Sequence, residues 1–417
     1  MKRTAICTSA LLSLSLWVEG IAYAANFDWP QWRGPDRTGL SKETGLLKSW
    51  PEGGPKRVWL FPGAGHGYSA PAIVNGKLYT LGTRGGGDIL LVLDARTGQE
   101  LWTAPIAPAY GHERGNGPRG TPTVDGDRVY VLSGGGTLAC IRITDQKVVW
   151  QVTMQSLGGR TPEWGYAESV LIDGDKLICT PGGRQGTIAA LHKLSGRVLW
   201  QSRGFRDPAQ YASPIVAEIN GTRQYIQLTM ERVAGVSAED GTLLWDSDWP
   251  GRAAVVPTPI HRDGLVYISS GYGVGCKLVR VGANNRATTI YDNKVMKNHH
   301  GGVVLVGDYL YGYSDAVGWV CQNFMTGAEI WSERRRLGKG ALTYADGMLY
   351  CLDESRGTVA LVEASPAGWN ERGRFTLNPL SQLRTPRGGI WTHPVVCNGM
   401  LYLRDQELIY CYDVKGS

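Results

Sequence analysis

The chain has 417 residues, a length that suits a repeat architecture better than a single compact domain. Its 19% charged residues, 57 glycines and 15 tryptophans favour short strands joined by tight turns over long surface helices, and 42% hydrophobic residues argue against disorder. The net charge of +6 is modest, and no aromatic residues interleave with the one basic cluster (Arg334, Arg335, Arg336 and Lys339), so we predict a solvated loop there and no nucleic-acid binding.

Residues 1–24 have the features of an export signal peptide. Two basic residues precede the apolar run LLSLSLWV, and the small-residue pattern AYA at 22–24 offers a cleavage site. The run is too short to span a bilayer, and no later segment approaches ~20 apolar residues. Cys7 precedes the run, so it does not stand where a lipoprotein carries its lipid. We expect a periplasmic or secreted protein that begins near Ala25 and does not span a membrane.

Seven cysteines remain after the signal peptide. They are Cys140, Cys179, Cys276, Cys321, Cys351, Cys397 and Cys411. Most lie in apolar, strand-like runs, which favours burial as small hydrophobic side chains. One or two disulfides remain an alternative in an oxidising compartment, but the odd number leaves at least one cysteine unpaired within a monomer.

After a lead segment at 25–55, the chain repeats a hairpin eight times. Each copy has a strand, a tight turn and a second strand, as in APAIVNGKLYTLG, and most turns contain Asn-Gly or Asp-Gly. The turn glycines are Gly76, Gly126, Gly174, Gly221, Gly264, Gly307, Gly347 and Gly399. Their spacing of roughly 40 to 52 residues is the period of a four-stranded propeller blade.

A second pair of strands follows each hairpin and ends on an aromatic residue. The clearest copy is LDARTGQELW, which ends at Trp102. The aromatic positions are Trp102, Trp150, Trp200, Trp245, Tyr291, Trp331 and Phe375. We predict that these rings are wedges between neighbouring blades, because a large ring buries much apolar area at a fixed radial position.

The eighth repeat is incomplete. It ends in DVKGS and lacks the final strand with its tryptophan, whereas KRVWLF at 56–61 supplies such a strand with Trp59. Pairing the two would close the ring and leave no open sheet edge at the seam. We therefore predict a monomeric, all-β, eight-bladed propeller of four-stranded antiparallel blades over residues 56–417, closed by an N-terminal strand.

The motif Asp-x-x-Thr-Gly-x-x-x-Trp at 94–102 resembles the tryptophan-docking motif of quinoprotein dehydrogenases and related PQQ-like repeat proteins. The segments DWPQWRGPDRTG, WGYAES and KNHHGGVVLVGDYLYGYSD are similar to exported PQQ-like propellers, which are labelled by analogy with alcohol dehydrogenases or with the assembly scaffold BamB. The resemblance implies the propeller fold, and it implies either a binding scaffold or an enzyme that uses PQQ with Ca²⁺. The chain lacks the adjacent Cys-Cys pair of the dehydrogenases, their long insertions and a Cys-x-x-Cys-His haem site.

The blade-to-blade connections should lie on one face of the ring, which we call the mouth face, and most histidines fall in them. We predict a ligand surface there. Its candidate residues are His66, Tyr68, Arg114, Arg119, Trp164, Tyr166, Glu168, Tyr211, His299, His300, Arg387 and His393. Tyr272 is a further candidate for stacking on a flat ligand.

Glu168 is the candidate cation ligand, because it should point toward the channel; pairing with Arg114 or Arg119 is the alternative. His299 and His300 are consecutive, so in an extended segment they point in opposite directions and do not share one metal. Packing between loops would explain the aromatic candidates equally well.

For function, we expect a binding module for a small molecule, a glycan or a protein, which acts through the mouth face. The alternative is a PQQ-dependent alcohol or sugar dehydrogenase with a divalent cation, where Glu168 binds the cation and a histidine or arginine holds a cofactor carboxylate. The catalytic residues are unknown.

Overall fold

The computed structural model describes residues 27–416, and it is an eight-bladed propeller of antiparallel four-stranded sheets. The predicted signal peptide and Cys7 lie outside the described residues. The lead segment contributes β1, Leu40–Ser41, and β2, Arg57–Phe61, follows it. Blade one contains β3 to β6, which are Ala72–Val74, Lys77–Arg84, Gly87–Asp94 and Glu100–Pro108, and blade two contains β7 to β10, which are Thr123–Asp125, Arg128–Leu132, Thr137–Arg142 and Val148–Thr153. Blade three contains β11 to β14, which are Leu171–Asp173, Lys176–Cys179, Ala189–His192 and Val198–Gln201, and blade four contains β15 to β18, which are Ile215–Ile219, Thr222–Leu228, Arg232–Ser237 and Leu243–Asp248.

Blades five to eight complete the ring. Blade five contains β19 to β22, which are Ile260–Arg262, Leu265–Ser270, Gly275–Val281 and Ala287–Asn293, and blade six contains β23 to β26, which are Val303–Val306, Tyr309–Ser314, Gly318–Asn323 and Glu329–Glu333. Blade seven contains β27 to β30, which are Gly340–Ala345, Met348–Asp353, Thr358–Glu363 and Glu371–Thr376, and blade eight contains β31 to β33, which are Val395–Cys397, Met400–Asp405 and Leu408–Asp413. Two 3₁₀ turns, Gln155–Leu157 and Ala283–Asn285, lie between strands. No helix among residues 27–416 has the length and hydrophobicity to cross a membrane.

The hairpin turns form because their residues tolerate positive φ. Asn75 and Gly76 have φ values of 50° and 70°, and Asp346 and Gly347 have φ values of 49° and 81°. Asparagine, aspartate and glycine reach this region at low cost, which gives the tight turns that match strand twist. These turns lie at the inner-strand ends away from the blade connections, on a face that we call the turn face.

The predicted closure of the ring is confirmed. Strand β2 pairs antiparallel with β33, and Trp59 lies opposite Cys411. Arg404, which is fully buried in blade eight, reinforces the seam: its Nη1 donates to Ser69 O at 3.0 Å and to Thr80 Oγ1 at 2.8 Å, both in blade one. Burial lowers the pKa of Arg404 to about 9. Such a cation is tolerated only because its donors are satisfied.

The wedge tryptophans share one environment. Each follows a bulge in the outer strand. The ring centroid of Trp59 lies 6.0 Å from that of Tyr402, and the ring centroid of Trp150 lies 6.2 Å from that of Tyr130, each a second-strand tyrosine of the same blade, whereas Trp200 stacks on Tyr225 of the next blade. Trp59 also covers the next blade, where a Cβ at Gly98 would lie 2.6 Å from its ring. The glycine is therefore required by close packing of the tryptophan.

The predicted wedge of blade seven, Phe375, is buried between blades, with its ring centroid 4.6 Å from that of Tyr412 in blade eight, but it does not occupy the wedge position of the repeat. The bulge register places Gly373, opposite Leu361, where the other blades have their aromatic residue. A Cβ at Gly373 would lie 2.6 Å from Trp50 Cβ, and the Trp50 ring lies 5.9 Å from Tyr350, the second-strand tyrosine of this blade. Trp50 of the lead segment thus supplies the missing ring, and Phe375 packs beside it.

The lead segment also closes the channel at the turn face. Asp28 accepts from Asn75 N, and Leu46 N donates to Asp346 Oδ2, both in hairpin turns. Between these anchors, the guanidinium of buried Arg33 donates to Val303 O of blade six, and that of buried Arg37 donates to Val170 O beside the inner strand of blade three. The predicted lead segment is therefore a plug inside the propeller.

All seven cysteines of the described chain are buried and unpaired. Cys140 and Cys411 lie opposite wedge tryptophans, Trp150 and Trp59, in the sheet register. This agrees with their interpretation as small hydrophobic side chains. Burial raises the pKa of the Cys140 thiol to about 11, which disfavours the reactive thiolate.

Trp50 of the lead segment and Trp59 of β2 give a direct test of closure. We expect Trp50→Ala and Trp59→Ala each to lower the free energy of unfolding by about 3–5 kcal/mol, because each leaves a large cavity between blades. Denaturant unfolding measures this cost. Leu101→Ala, at an outer-strand position with 43% exposure, is the control and should cost roughly 0.5 kcal/mol or less. A cost near that of the control for Trp50 would contradict its role as the seventh wedge.

Candidate functional site

A cavity of about 160 Å³ opens at the centre of the mouth face. Its lining comes from the lead segment, from six blade-to-blade connections, from the entry to blade one and from a turn in blade five. The lining residues are Trp32, Tyr68, Arg114, Arg119, Trp164, Ala167, Tyr211, Ser213, Val256, Tyr272, His299, His300, Trp391 and His393. Eight of the twelve candidate residues predicted from the sequence therefore meet around one cavity.

Aromatic rings form most of the cavity wall. Trp164 and Tyr211 stack with centroids 5.5 Å apart and planes 18° apart, and Tyr68 stacks on Trp391 at 4.9 Å. Trp32 comes from the plug and closes the floor, where its Nε1 donates to Thr258 Oγ1 at 2.9 Å. Rings that are held by each other and by hydrogen bonds make a preformed apolar surface for a flat ligand.

Two arginines provide the positive charge of the cavity. Arg119 is half-buried, donates to the carbonyls of Gly117 and Gly115 at 2.8 and 2.9 Å, and lies 5.6 Å from the Tyr68 ring centroid. Burial lowers the pKa of Arg119, although the surrounding tyrosines oppose this. Arg114 is exposed and lies 5.3 Å from the Trp164 ring centroid. Neither forms an ion pair with a carboxylate in the described chain.

Lys339 contacts the Nδ1 atom of His299. Lys339 Nζ lies 2.7 Å from His299 Nδ1 and 2.8 Å from Asp315 Oδ1. Burial, the neighbouring His300 and Lys339 lower the pKa of His299 to about 2, so this ring is neutral at physiological pH. The edge of the Tyr272 ring covers it at 4.6 Å. Lys339 is thus a half-buried part of the site, and the prediction of a solvated loop is wrong for this residue.

His300 and His393 also face the cavity from different connections. The prediction that His299 and His300 point in opposite directions is wrong, because both line the cavity and their ring centroids lie 4.7 Å apart. His300 Nε2 lies 2.8 Å from Glu354 Oε2, a short contact that is not an aligned hydrogen bond. His393 Nε2 lies 2.8 Å from His300 O, and its ring lies 4.6 Å from Trp32. Burial and Arg33 lower the pKa of His393 to about 3, so this ring is neutral as well.

Four predicted candidates lie outside the cavity lining. His66 bridges to Thr83 in blade one through its backbone. Tyr166 is buried and donates its hydroxyl to Pro181 O at 3.0 Å. Arg387 forms an exposed ion pair with Glu113 at 2.6 Å. None of these three residues belongs to the cavity lining of the described chain. Glu168 is the fourth candidate outside it.

Glu168 is buried within blade three rather than exposed in the channel. Its Oε1 accepts from Thr180 N at 2.6 Å, and its Oε2 has no hydrogen-bond partner among residues 27–416. Arg114 and Arg119 do not pair with it; the arginine whose charge acts on it is Arg37 of the plug. Burial raises the pKa of Glu168 to about 7, against the hydrogen bonds from Thr180 and the charge of Arg37.

Across residues 27–416, no three His, Cys, Asp or Glu side chains come together in a way that would hold a metal ion. Divalent calcium takes six to eight oxygen ligands, mainly carboxylates and carbonyls. The cavity lining offers hydroxyl groups but no carboxylate, and the nearby Glu168 is directed to Thr180 N. The described side chains therefore fit a flat anion better than a calcium ion.

Sequence reasoning missed several residues of the cavity. Trp32 was not among the candidates, although it stands in DWPQWRGPDRTG, a segment that carries the resemblance; Trp391 was not among them either, although it stands in the connection before blade eight. Tyr272, by contrast, was a further candidate from the sequence and does line the cavity; its positive φ of 56° is rare for a bulky residue, and such conformations concentrate at functional sites. Ser213 and Val256 carry no signal in the sequence.

The pKa of Glu168 predicts how stability depends on pH. Between its ordinary value of 4.5 and about 7, the folded protein holds a proton that the unfolded chain releases. The resulting stabilisation is complete below pH 4.5 and is lost as the pH rises to 7. Glu168→Gln should therefore gain about 3 kcal/mol relative to the wild type across this window. Denaturant unfolding at several pH values measures the gain.

The exposed Glu329→Gln is the matched control, because it changes the same charge without burial. Its unfolding free energy should run parallel to that of the wild type. If the unfolding free energy of Glu168→Gln also runs parallel to that of the wild type as the pH changes, the Glu168 carboxyl is ionised in the folded protein at pH 5. That result would contradict its burial as a protonated acid.

Known proteins resemble the chain in sequence and in fold. The family model described as outer membrane protein assembly factor BamB, PQQ_2, matches residues 85–333. The outer membrane protein assembly factor BamB of Marinobacter adhaerens is 25% identical over 144 residues, which are 34% of this chain and 31% of that protein. The match thus spans about a third of that relative's length.

Two solved structures share the propeller. BamB from Moraxella catarrhalis superposes with a TM-score of 0.60 and 17% identity, covering 86% of this chain and 99% of that chain. Quinohemoprotein alcohol dehydrogenase from Comamonas testosteroni superposes with a TM-score of 0.64 and 12% identity, covering 95% and 82%. At these identities the likeness shows the fold. Because the family model matches more than half of the sequence, the chain belongs to the PQQ_2 family, the PQQ-like propellers described by the assembly factor BamB.

Proposed function

We propose that this propeller is an exported binding protein that holds a small anionic, ring-bearing ligand in the mouth cavity. The observation that carries the proposal is the pairing of Arg114 and Arg119 with a wall of aromatic rings in a lining that contains no carboxylate. Arginines that lack a carboxylate partner attract anions, and stacked rings bind the flat faces of aromatic compounds and sugars. Aromatic acids and acidic sugars combine both features.

The charge of the cavity supports an anion further. His299 and His393 are neutral at physiological pH because burial disfavours their charged forms. The permanent charges in the cavity wall are therefore those of Arg114 and Arg119, whereas Lys339 lies behind His299 and forms an ion pair with Asp315. A carboxylate that enters this partly enclosed space meets less screening than at an open surface. Tyr68, Trp164, Tyr211, His300 and His393 are the proposed contacts for the rest of the ligand.

The export that we propose rests on the predicted signal peptide at 1–24. The family's descriptive name refers to a factor for outer membrane protein assembly, which fits the same destination. A protein partner that presents an acidic side chain is compatible with the mouth face, but the cavity is a better match for a compact ligand than for a broad interface, since stable interfaces bury far larger areas.

The alternative function is that of a PQQ-dependent dehydrogenase. PQQ is a flat quinone with carboxylates, and the arginines and rings of the cavity suit those two features. The cation of such a site does not fit equally well, because Glu168 is directed to Thr180 N rather than into the cavity. We therefore favour the binding function and assign no redox step to this chain.

The test uses 3-phenylpropionate and its neutral amide as probes, with binding followed by the fluorescence of the cavity tryptophans. We expect the carboxylate to bind at least tenfold more tightly than the amide. Arg114→Gln should reduce this preference about 10- to 100-fold, because a hydrogen bond to a charged group contributes about 1.5–3 kcal/mol. Arg114 is exposed, so the variant should fold normally.

Arg197→Gln is the matched control, because Arg197 is exposed on the turn face and should leave binding unchanged. Equal affinity for the acid and the amide would contradict the proposed anion site.

In a second arm, PQQ is added with and without Ca²⁺. Binding of PQQ that requires Ca²⁺, together with dye-linked alcohol oxidation, would favour the dehydrogenase instead.

A further inference from the structure

The interaction between Lys339 and His299 fixes which nitrogen of the histidine carries the proton. An ammonium group donates hydrogen bonds and accepts none. At 2.7 Å from Lys339 Nζ, His299 Nδ1 must therefore be the unprotonated acceptor. The ring is neutral, so its one proton is on Nε2. His299 lines the cavity, and it offers the cavity an uncharged N–H donor.

This arrangement is built from three separate elements. Asp315 follows β24 in blade six, and it accepts from Lys339 Nζ at 2.8 Å in the next connection. Gly271 in blade five leaves the necessary space, because a Cβ there would lie 2.8 Å from Asp315 Oδ2 and 3.0 Å from His299 Cα. Tyr272, in a strained backbone conformation, places its ring edge against His299. Such supporting contacts keep a donor in one orientation.

A fixed N–H donor at His299 requires the ligand to supply a hydrogen-bond acceptor. The unsatisfied N–H of a buried site costs about 1–3 kcal/mol if the bound molecule offers no acceptor. The arginines are satisfied by a carboxylate, whereas an uncharged donor pairs best with a carbonyl or hydroxyl oxygen. Two kinds of donor in one cavity thus match two kinds of oxygen on one ligand.

We propose that the site selects ring-bearing acids with an uncharged oxygen next to the carboxylate, the 2-oxo and 2-hydroxy acids, and that His299 is the residue that reads this oxygen. This inference rests on the proposed binding of an anion in the mouth cavity. Lys339 is a positioning residue, because it acts on the ligand only through the tautomer and orientation of His299. Arg114 and Arg119 bind the carboxylate.

The first experiment compares phenylpyruvate with 3-phenylpropionate, which differ in the 2-oxo oxygen. The purified protein should bind phenylpyruvate about tenfold more tightly. Lys339→Met keeps the aliphatic stem but removes the ammonium, and it should reduce that ratio to about one while the affinity for 3-phenylpropionate stays within threefold. Lys147→Met, exposed and on the turn face, is the control and should keep the full ratio.

The second experiment reads the tautomer in the wild-type protein and needs no variant. Nitrogen NMR on protein labelled with ¹⁵N-histidine should show His299 with a proton on Nε2 and none on Nδ1 throughout the neutral range. In Lys339→Met, both tautomers should be populated. A proton on Nδ1 in the wild type would overturn the inference even if the variant fails to fold.

The two proposals fail separately. If neither acid binds more tightly than a neutral analogue, the proposed anion site itself is wrong. If 3-phenylpropionate binds in an Arg114-dependent manner but phenylpyruvate binds no more tightly, the anion site stands and the selection by His299 is wrong.

Discussion

The structure depends on the burial of the lead segment inside the ring. A propeller leaves a channel along its axis, and the inner strands expose carbonyl groups to it. Here the guanidinium groups of Arg33 and Arg37 donate to such carbonyls in blades six and three, which lie on different sides of the axis. Burial lowers the pKa values of Arg33 and Arg37 to about 10 and 9. Charges this deep are held only where hydrogen bonds replace water.

The same segment completes the packing between blades. Trp50 fills the wedge that Gly373 leaves open in blade seven, and Trp59 supplies the last wedge at the seam. Leu40 and Ser41 add a parallel strand beside the inner strand of blade seven. A single stretch of about thirty residues thus joins the end of the ring to its beginning and closes the channel at the turn face.

The mouth cavity is a consequence of this plug. Trp32 gives the cavity a floor, and its contact with His393 connects the plug to the cavity wall. With the other end of the channel closed, a ligand has one route of entry and meets a partly dehydrated surface. Polar interactions are stronger there than at an open loop surface. The connections that reach the cavity come from blades far apart in sequence, which explains how a repeat fold without obvious insertions still builds one asymmetric site.

The repeat made most of the fold predictable from the sequence. Turn glycines such as Gly76 and the regular tryptophans such as Trp102 report local constraints, and Trp59 could be matched to the incomplete last repeat because both belong to one motif. Trp50 could not be assigned in this way, since it fills a position of another blade from outside the repeat. The position of Lys339 was missed for a related reason: its partner His299 lies in another blade connection and its partner Asp315 in a turn of blade six, and only the folded ring brings the three residues together.

The central claim is that the plugged mouth cavity is the binding site for a ring-bearing acid. A crystal structure of the protein with bound phenylpyruvate tests it most directly. The claim predicts the carboxylate within hydrogen-bond distance of Arg114 or Arg119, the 2-oxo oxygen at His299 Nε2, and the phenyl ring against the aromatic wall above Trp32. Phenylpyruvate bound elsewhere on the propeller, with the mouth cavity free of it at saturating concentration, would contradict the claim.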